Sequence, residues 1–262
     1  MTAKPSVLIT GASTGIGAGY ADRFARRGHD LVLVARNAAR MEALAERLRS
    51  ETGVTVDIMT ADLADPTERA VVETRLRDDA QIEILINNAG TTLAGTFLDQ
   101  STDDVERLVT LNTTALVRLA HAIAPRLAQS GKGAIVNIGS VVGLAPEFGM
   151  AVYGATKAFA LYLSQALNLQ LGPQGVYVQA VLPATTRTEI WDHAGVDVDT
   201  LSGVMEVNDL VDAALAGFDR REAVTIPPLH EVGKWDAYDA ARQAMLPGIS
   251  QSQPAARYIA DA

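Results

Sequence analysis

The 262-residue chain has no cysteine, which excludes disulfides, thiolate catalysis and cysteine-ligated zinc. Its four histidines, His29, His121, His193 and His230, are scattered without metal-ligand spacing, so no metal site is expected. Positive charge is also short: 22 Lys and Arg stand against 31 Asp and Glu, a net charge of −9. Phosphate-backbone binding needs clustered basic residues, and anionic lipid attracts the same groups, so neither nucleic acid nor membrane is an expected partner. Apolar runs stay well below the ~18 uninterrupted residues that suggest a membrane span. No apolar stretch of signal-peptide length precedes Val7, and the cytoplasm is the expected location. Repeats and low-complexity tracts are lacking as well.

What is present is an alternation. Hydrophobic residues make up 48% of the chain and charged residues 20%, ordinary values for a globular protein with a sizeable core. Short apolar runs occur at 7–9, 31–35, 54–59, 82–86, 134–138, 176–182 and 224–226. Between them, apolar residues recur at helical spacing over 15–28, 41–53, 66–76, 103–129 and 152–171. Short runs bounded by turn residues, with helices between, mark βαβ units. The runs are apolar on both faces, which suits a parallel sheet covered by helices on each side. The expected fold class is therefore α/β: a doubly wound, Rossmann-type parallel sheet of about seven strands with helices on both faces. Residues 1–262 read as a single domain, with 189–207 as the segment best placed to form a mobile lid over a substrate.

The first strand ends in Thr10-Gly11-Ala12-Ser13-Thr14-Gly15-Ile16-Gly17. Glycines let a backbone turn tightly and approach a ligand with no β-carbon in the way. A helix starting there presents free N–H groups to a phosphate. A glycine-rich loop between a first strand and its helix is the context expected of a dinucleotide site.

The spacing Thr-Gly-x-x-x-Gly-Ile-Gly resembles that of the short-chain dehydrogenase/reductase family, and the likeness continues along about residues 6–190. Asn87-Asn88-Ala89-Gly90 is similar to a motif of that family after its fourth strand. Asp62-Leu63 resembles its adenine-contacting pair, and Asn112 falls where the family places an active-site Asn. Ser140 closes the fifth strand, and Tyr153 and Lys157 follow it as Tyr-x-x-x-Lys. Pro183 to Thr188 resembles the family's Pro-Gly-x-x-x-Thr, with Ala184 in place of the usual Gly. The resemblance implies a catalytic set of Asn112, Ser140, Tyr153 and Lys157. It implies a nicotinamide dinucleotide held by Gly11, Ser13, Thr14, Gly15, Ile16, Gly17, Arg36, Asp62, Leu63, Asn88, Ala89, Gly90, Tyr153, Lys157, Pro183, Thr186 and Thr188. Ser140, Val142 and Tyr153 are the expected substrate contacts.

The chemistry has its own logic. Tyr153 and Lys157 are four residues apart on a helix and share a face. A tyrosine titrates near 10, and a general acid or base works best closer to the working pH. A neighbouring ammonium, together with the positive charge of an oxidised nicotinamide, is expected to pull the phenol down. In the reductive direction Tyr153 gives a proton to a carbonyl oxygen held by Ser140 as hydride reaches the carbon. The resemblance gives Asn112 the task of anchoring a water between Lys157 and solvent.

At the end of the second strand stand Ala35, Arg36 and Asn37. NAD-binding relatives of this fold commonly carry a carboxylate there for the adenosine ribose; Ala35 cannot serve, and the Arg36 fork suits a 2′-phosphate. NADP (as NADPH) is therefore the expected cofactor, with NAD disfavoured, although Thr14 is uncharged where some NADP-selective relatives place a second basic residue. Leu93, Val142, Leu144, Phe148, Met150, Ile190 and Trp191 are expected to wall the substrate site, which favours a neutral hydrophobic ketone, aldehyde or secondary alcohol. Arg187 is open to two readings, an anion contact or a surface residue. The rivals are a carrier-bound 3-oxoacyl thioester reductase, a non-catalytic NADP-sensing protein, and an epimerase or dehydratase. The helix over 152–171 is apolar nearly all round, so burial on two sides is expected. The resemblance implies a homodimer or homotetramer.

Overall fold

Each of the seven apolar runs becomes a strand of one sheet. In the computed structural model, which describes residues 4–259, these are β1 (Ser6–Thr10), β2 (Leu31–Ala35), β3 (Val56–Thr60), β4 (Ile82–Asn87), β5 (Ala134–Ile138), β6 (Tyr177–Val181) and β7 (Val224–Thr225). Every pairing is parallel, in the order β3-β2-β1-β4-β5-β6-β7. Strands β2, β5 and β6 are buried at every position, as a sheet covered on both faces requires. The third run begins two residues later than the sequence suggests. Gly53 caps the preceding helix in the left-handed region, and the Thr55 N–H donates to the Asp30 carboxylate at 2.7 Å, so the chain turns before it can pair.

Alternate β1 residues enter opposite cores. Val7 and Ile9 pack with Tyr20 and Phe24 of α1 (Gly15–Arg26), Met41 and Leu48 of α2 (Ala38–Thr52), and Leu215 further along. Leu8 packs with Val72 and Leu76 of α3 (Pro66–Asp78) and with Leu119 and Ile123 of the helix before β5. After β3 the chain crosses to the far side of β1 to lay down β4. That reversal leaves a crevice beyond the carboxyl ends of β1 and β4, where ligands bind in sheets of this type.

The single long helix expected over 103–129 is interrupted. It runs as α4 (Thr102–Val109), a π-helical stretch (Thr110–Ala115) and α5 (Leu116–Ser130). Wide turns of this kind are frequent at functional sites, and here the stretch contains Asn112. Helix α6 (Ala151–Leu171) also differs in part from expectation: Ala160, Leu161 and Ser164 are buried, but Tyr162 and Leu169 are each 77% exposed in the single chain.

Residues 189–207 contain the short α7 (Ile190–Ala194) and a 3₁₀ turn (Val198–Thr200), followed by α8 (Val207–Asp219). Arg187 ties this segment together, donating to Asp199 at 2.5 Å and Glu206 at 2.9 Å. Of its two readings from sequence, the surface one fits this arrangement, since the guanidinium is paired to two carboxylates and does not line the cleft described below. The described chain divides into two compact units, the first ending at Pro227 and the second beginning at Pro228; positions 1–3 and 260–262 of the single-domain assignment lie outside the described residues. The second unit carries α9 (Val232–Ala244) and α10 (Leu246–Ile249), with no buried residue in either helix and with Trp235 stacked on Tyr238. Among the described residues no helix is long and apolar enough to cross a membrane, and no group of His, Asp or Glu could hold a metal ion.

Candidate active site

A cleft of about 980 Å³ opens along the strand ends. The loop after β1 contributes Gly11, Ser13, Thr14, Gly15 and Ile16, the end of β2 contributes Arg36, and the end of β3 contributes Asp62 and Leu63. Asn88, Ala89 and Gly90 follow from β4. The opposite wall holds Ser140, Val142, Tyr153 and Lys157, then Pro183, Thr186 and Thr188. Of the expected catalytic and cofactor-binding residues, Gly17 and Asn112 are not on this surface. Gly17 lies beneath the loop, where a β-carbon would stand 2.3 Å from the Gly11 carbonyl oxygen. Gly11 itself has φ +63°, the left-handed region that glycine enters at no steric cost. Helix α1 has no side-chain cap and no acidic residue in its first turn, so its opening N–H groups remain available to an anion. Arg36 makes no hydrogen bond or ion pair among the described residues. Asp62 sits near its charge but bonds Arg107, at 2.6 Å. A bare helix terminus, a backbone cradle and an unpaired guanidinium together fit a phosphorylated dinucleotide.

Asn112 is held from two sides. Its Oδ1 accepts the Thr91 N–H at 2.9 Å, and its Nδ2 donates to the Thr91 carbonyl at 2.9 Å and the Thr156 hydroxyl at 3.1 Å. Both amide hydrogens are spent on the protein, so a water between Lys157 and solvent would meet Asn112 at an acceptor oxygen; the same bonds make the side chain a tie between α6 and the loop after β4. Neither Thr91 nor Thr156 stands out in the sequence, since a threonine beside a motif has no mark of its own. Asn112 and Lys157 converge on Gly90, whose β-carbon position lies 3.2 Å from Asn112 Oδ1 and 3.5 Å from Lys157 Nζ.

Ser140 accepts the Val142 N–H at 3.2 Å. Its one proton has two claimants, the Pro183 carbonyl at 3.3 Å and the Tyr153 phenol. Lys157 is buried, donates to the Ile138 carbonyl at 2.9 Å, and stands 5.5 Å from the centre of the Tyr153 ring. Burial pushes the Tyr153 phenol up to about 12, which the Ser140 hydrogen bond only partly opposes. Burial likewise pulls the Lys157 ammonium down to about 8. The expectation that lysine lowers the phenol is therefore not met in the protein by itself. Loss of water penalises both charged forms, and at this separation the ammonium does not make up the difference.

A second cavity of about 210 Å³ adjoins the cleft and shares Met150, Tyr153 and Trp191 with it. Leu93 lines the smaller cavity; Val142, Phe148 and Ile190 line the larger, and Leu144 lines neither. The larger cleft also includes Arg40, Glu189 and His193. Arg40 and Glu189 lie 149 residues apart in sequence, and no motif joins them.

Residues 5–198 match a family model described as short chain dehydrogenase. The chain is 68% identical to a short-chain dehydrogenase from Sphingobium yanoikuyae solved in complex with NADPH, with a TM-score of 0.95 over 97% of this chain and 100% of that one. It is 60% identical to the bulky-bulky ketone specific alcohol dehydrogenase from Comamonas testosteroni, with a TM-score of 0.92 over 98% and 100%. Sulfoacetaldehyde reductase from Chromohalobacter salexigens is 40% identical over 189 residues, 70% of this chain and 73% of that protein. Some other curated relatives are longer, and the chain spans only 54% to 56% of two of them.

Proposed function

The chain belongs to the short-chain dehydrogenase family, and we propose that it works as an NADPH-dependent oxidoreductase interconverting hydrophobic ketones, with sizeable groups on both sides of the carbonyl, and their secondary alcohols. The observation that carries the substrate class is the pair of cavities meeting at Tyr153. A carbonyl set before the phenol has mainly apolar room on either side, bounded by Met150 and Trp191. The relative that acts on bulky-bulky ketones supports the same reading. For the cofactor, the support is the unpaired Arg36, the absence of a carboxylate at Ala35, and the relative solved with NADPH.

Bound in the cleft, NADPH supplies the hydride. Ser140 holds the carbonyl oxygen against Tyr153, and the Tyr153 phenol, protonated at neutral pH as any tyrosine is, donates its proton to that oxygen. Lys157 keeps a positive charge near the developing alkoxide, while Asn112 fixes the helix and loop between which this happens. Residues 189–207 serve as the lid, since Ile190, Trp191 and His193 all reach the cleft.

The test is a parallel screen of ketones with two large groups, methyl ketones, aldehydes and 3-oxoacyl thioesters, with NADPH and with NADH, followed by nicotinamide absorbance. Ketones with two large groups are expected to exceed small methyl ketones by more than about tenfold in kcat/KM, because even one methylene in an apolar pocket is worth roughly 10–200-fold. Faster reduction of thioesters would replace the substrate class. Tight NADPH binding with no turnover of anything would favour a sensor.

The exposed Phe159, Tyr162 and Leu169 on α6 support a homodimer or homotetramer formed through that helix, because apolar side chains of this size are rarely left together in water. Light scattering at micromolar concentration is expected to give at least twice the 27.7 kDa chain mass; a monomer would sink the assembly.

A further inference from the structure

The NADPH reading leaves a charge unbalanced. A phosphate monoester at neutral pH carries about −1.5 to −2, yet the loop position that could add a second cation beside Arg36 is the uncharged Thr14. Arg40 lines the same cleft as Arg36. It sits in the first turn of α2, where its backbone N–H donates to the capping Asn37 side chain at 3.0 Å. Its guanidinium is held in an unusual way. Nη1 alone contacts both oxygens of Glu189, at 2.9 and 2.7 Å, and among the described residues Nε and Nη2 have no partner. One nitrogen is therefore spent on orientation, and the edge of the fork that suits two phosphate oxygens is open.

Glu189 stands at the head of the 189–207 segment, directly after Thr188, whose side chain lies against Gly15 of the β1 loop. Its carboxylate crosses from that segment to α2 and keeps Arg40 over the cleft. Arg40 and Glu189 side chains are 50% and 54% exposed, and exposed pairs contribute little to stability. Holding the fold together is thus a poor account of a contact that spans the mouth of the cleft.

We infer that Arg40 is the second cation reading the 2′-phosphate of the cofactor, with Glu189 as its positioning residue, so that cofactor choice and the placement of the lid are coupled. The inference rests on the NADPH reading above and adds to it a residue outside the motifs.

The test is cofactor binding without substrate, by fluorescence titration of NADPH and NADH, with 2′-AMP and 5′-AMP as competing probes. For Arg40→Gln, the Kd for NADPH and 2′-AMP is expected to rise about tenfold, the loss of one charge-assisted fork, while NADH and 5′-AMP stay within about twofold. In a Glu189→Gln background the same Arg40→Gln change is expected to cost clearly less, because an unpositioned arginine has less to lose. Arg36→Gln serves as the reference. If wild-type protein does not prefer NADPH to NADH, the NADPH reading fails and this inference with it. If the preference exists and Arg36→Gln removes it, but Arg40→Gln leaves the NADPH Kd within twofold, the cofactor reading stands and Arg40 is overturned.

Discussion

Tyr153→Phe is expected to lower the rate of ketone reduction about 10³-fold while leaving the NADPH Kd within about twofold, since a positioned general acid is worth roughly 10²–10⁴-fold. That loss corresponds to about 4 kcal/mol of barrier. The change removes one oxygen and keeps the ring, which fills the wall between the two cavities, so packing is retained. The ring also keeps its place near Lys157, 5.5 Å from Nζ. Only the proton that must reach the carbonyl oxygen is gone. Stopped-flow turnover and cofactor titration on the same preparation separate the two effects. Full activity in the Phe variant would move the acid elsewhere, and the whole assignment of the site with it.

The same site has a signed dependence on pH. The phenol, pushed up to about 12 by burial, holds its proton throughout the working range. The ammonium of Lys157, pulled down to about 8 by burial, does not. A depressed lysine is charged below its pKa and neutral above it, so reduction is expected to stay level below about pH 8 and to fall above it. Oxidation of the alcohol needs the phenolate as proton acceptor, whose small population grows with pH up to about 12, and is expected to rise steadily across the working range. These opposite slopes belong to wild-type protein and are part of the case for Tyr153, because a phenylalanine cannot exchange a proton in either direction.

The architecture was legible because a parallel sheet leaves a coarse trace: continuous apolar runs closed by turn residues, each followed by helical spacing. Val7 to Ile9 and Leu31 to Ala35 could hardly be anything else in that setting. The wall of the cleft was legible where a short motif fixes several residues at once, as in 11–17 or 153–157. The π-helical turn at Thr110–Ala115 was not, since its apolar pattern passes for an ordinary helix and the bonds that accompany it, from Asn112 to Thr91 and Thr156, are tertiary. The Arg40–Glu189 pair was hidden for the same reason. The balance at Tyr153 was hidden on a different count: spacing shows that two groups are neighbours, but not how much water both have lost, and the expected acidity drew on the charge of the oxidised nicotinamide as well as on Lys157.

Gly17→Ala tests the other half of the site, the cradle. Glycine at this position is a matter of space. A β-carbon would meet the Gly11 carbonyl oxygen at 2.3 Å and Asn88 Nδ2 at 2.6 Å. Neither can step aside freely. Asn88 Nδ2 is bonded to the Thr10 and Gly11 carbonyls at 2.9 and 3.2 Å, and Gly11 is backbone in a conformation that other residues avoid. Relief has to come from a shift of the whole loop, which breaks the clamp between the ends of β1 and β4. Overpacking of this sort costs about 1–3 kcal/mol, so Tm is expected to drop by roughly 3–10 °C for a chain of this size. The loop that moves is the one whose N–H groups face the phosphates, and the NADPH Kd is expected to rise more than about tenfold, the equivalent of losing one charge-assisted contact. Gly233→Ala, in the first turn of α9 as Gly17 is in that of α1, is the matched control, because a β-carbon there meets nothing within 4 Å; it is expected not to lower stability. Calorimetry and cofactor titration on both variants distinguish a general penalty for adding a methyl group from one confined to the cradle. A Gly17→Ala protein with wild-type Tm and NADPH affinity would mean that the loop does not hold the dinucleotide in the way its close packing implies.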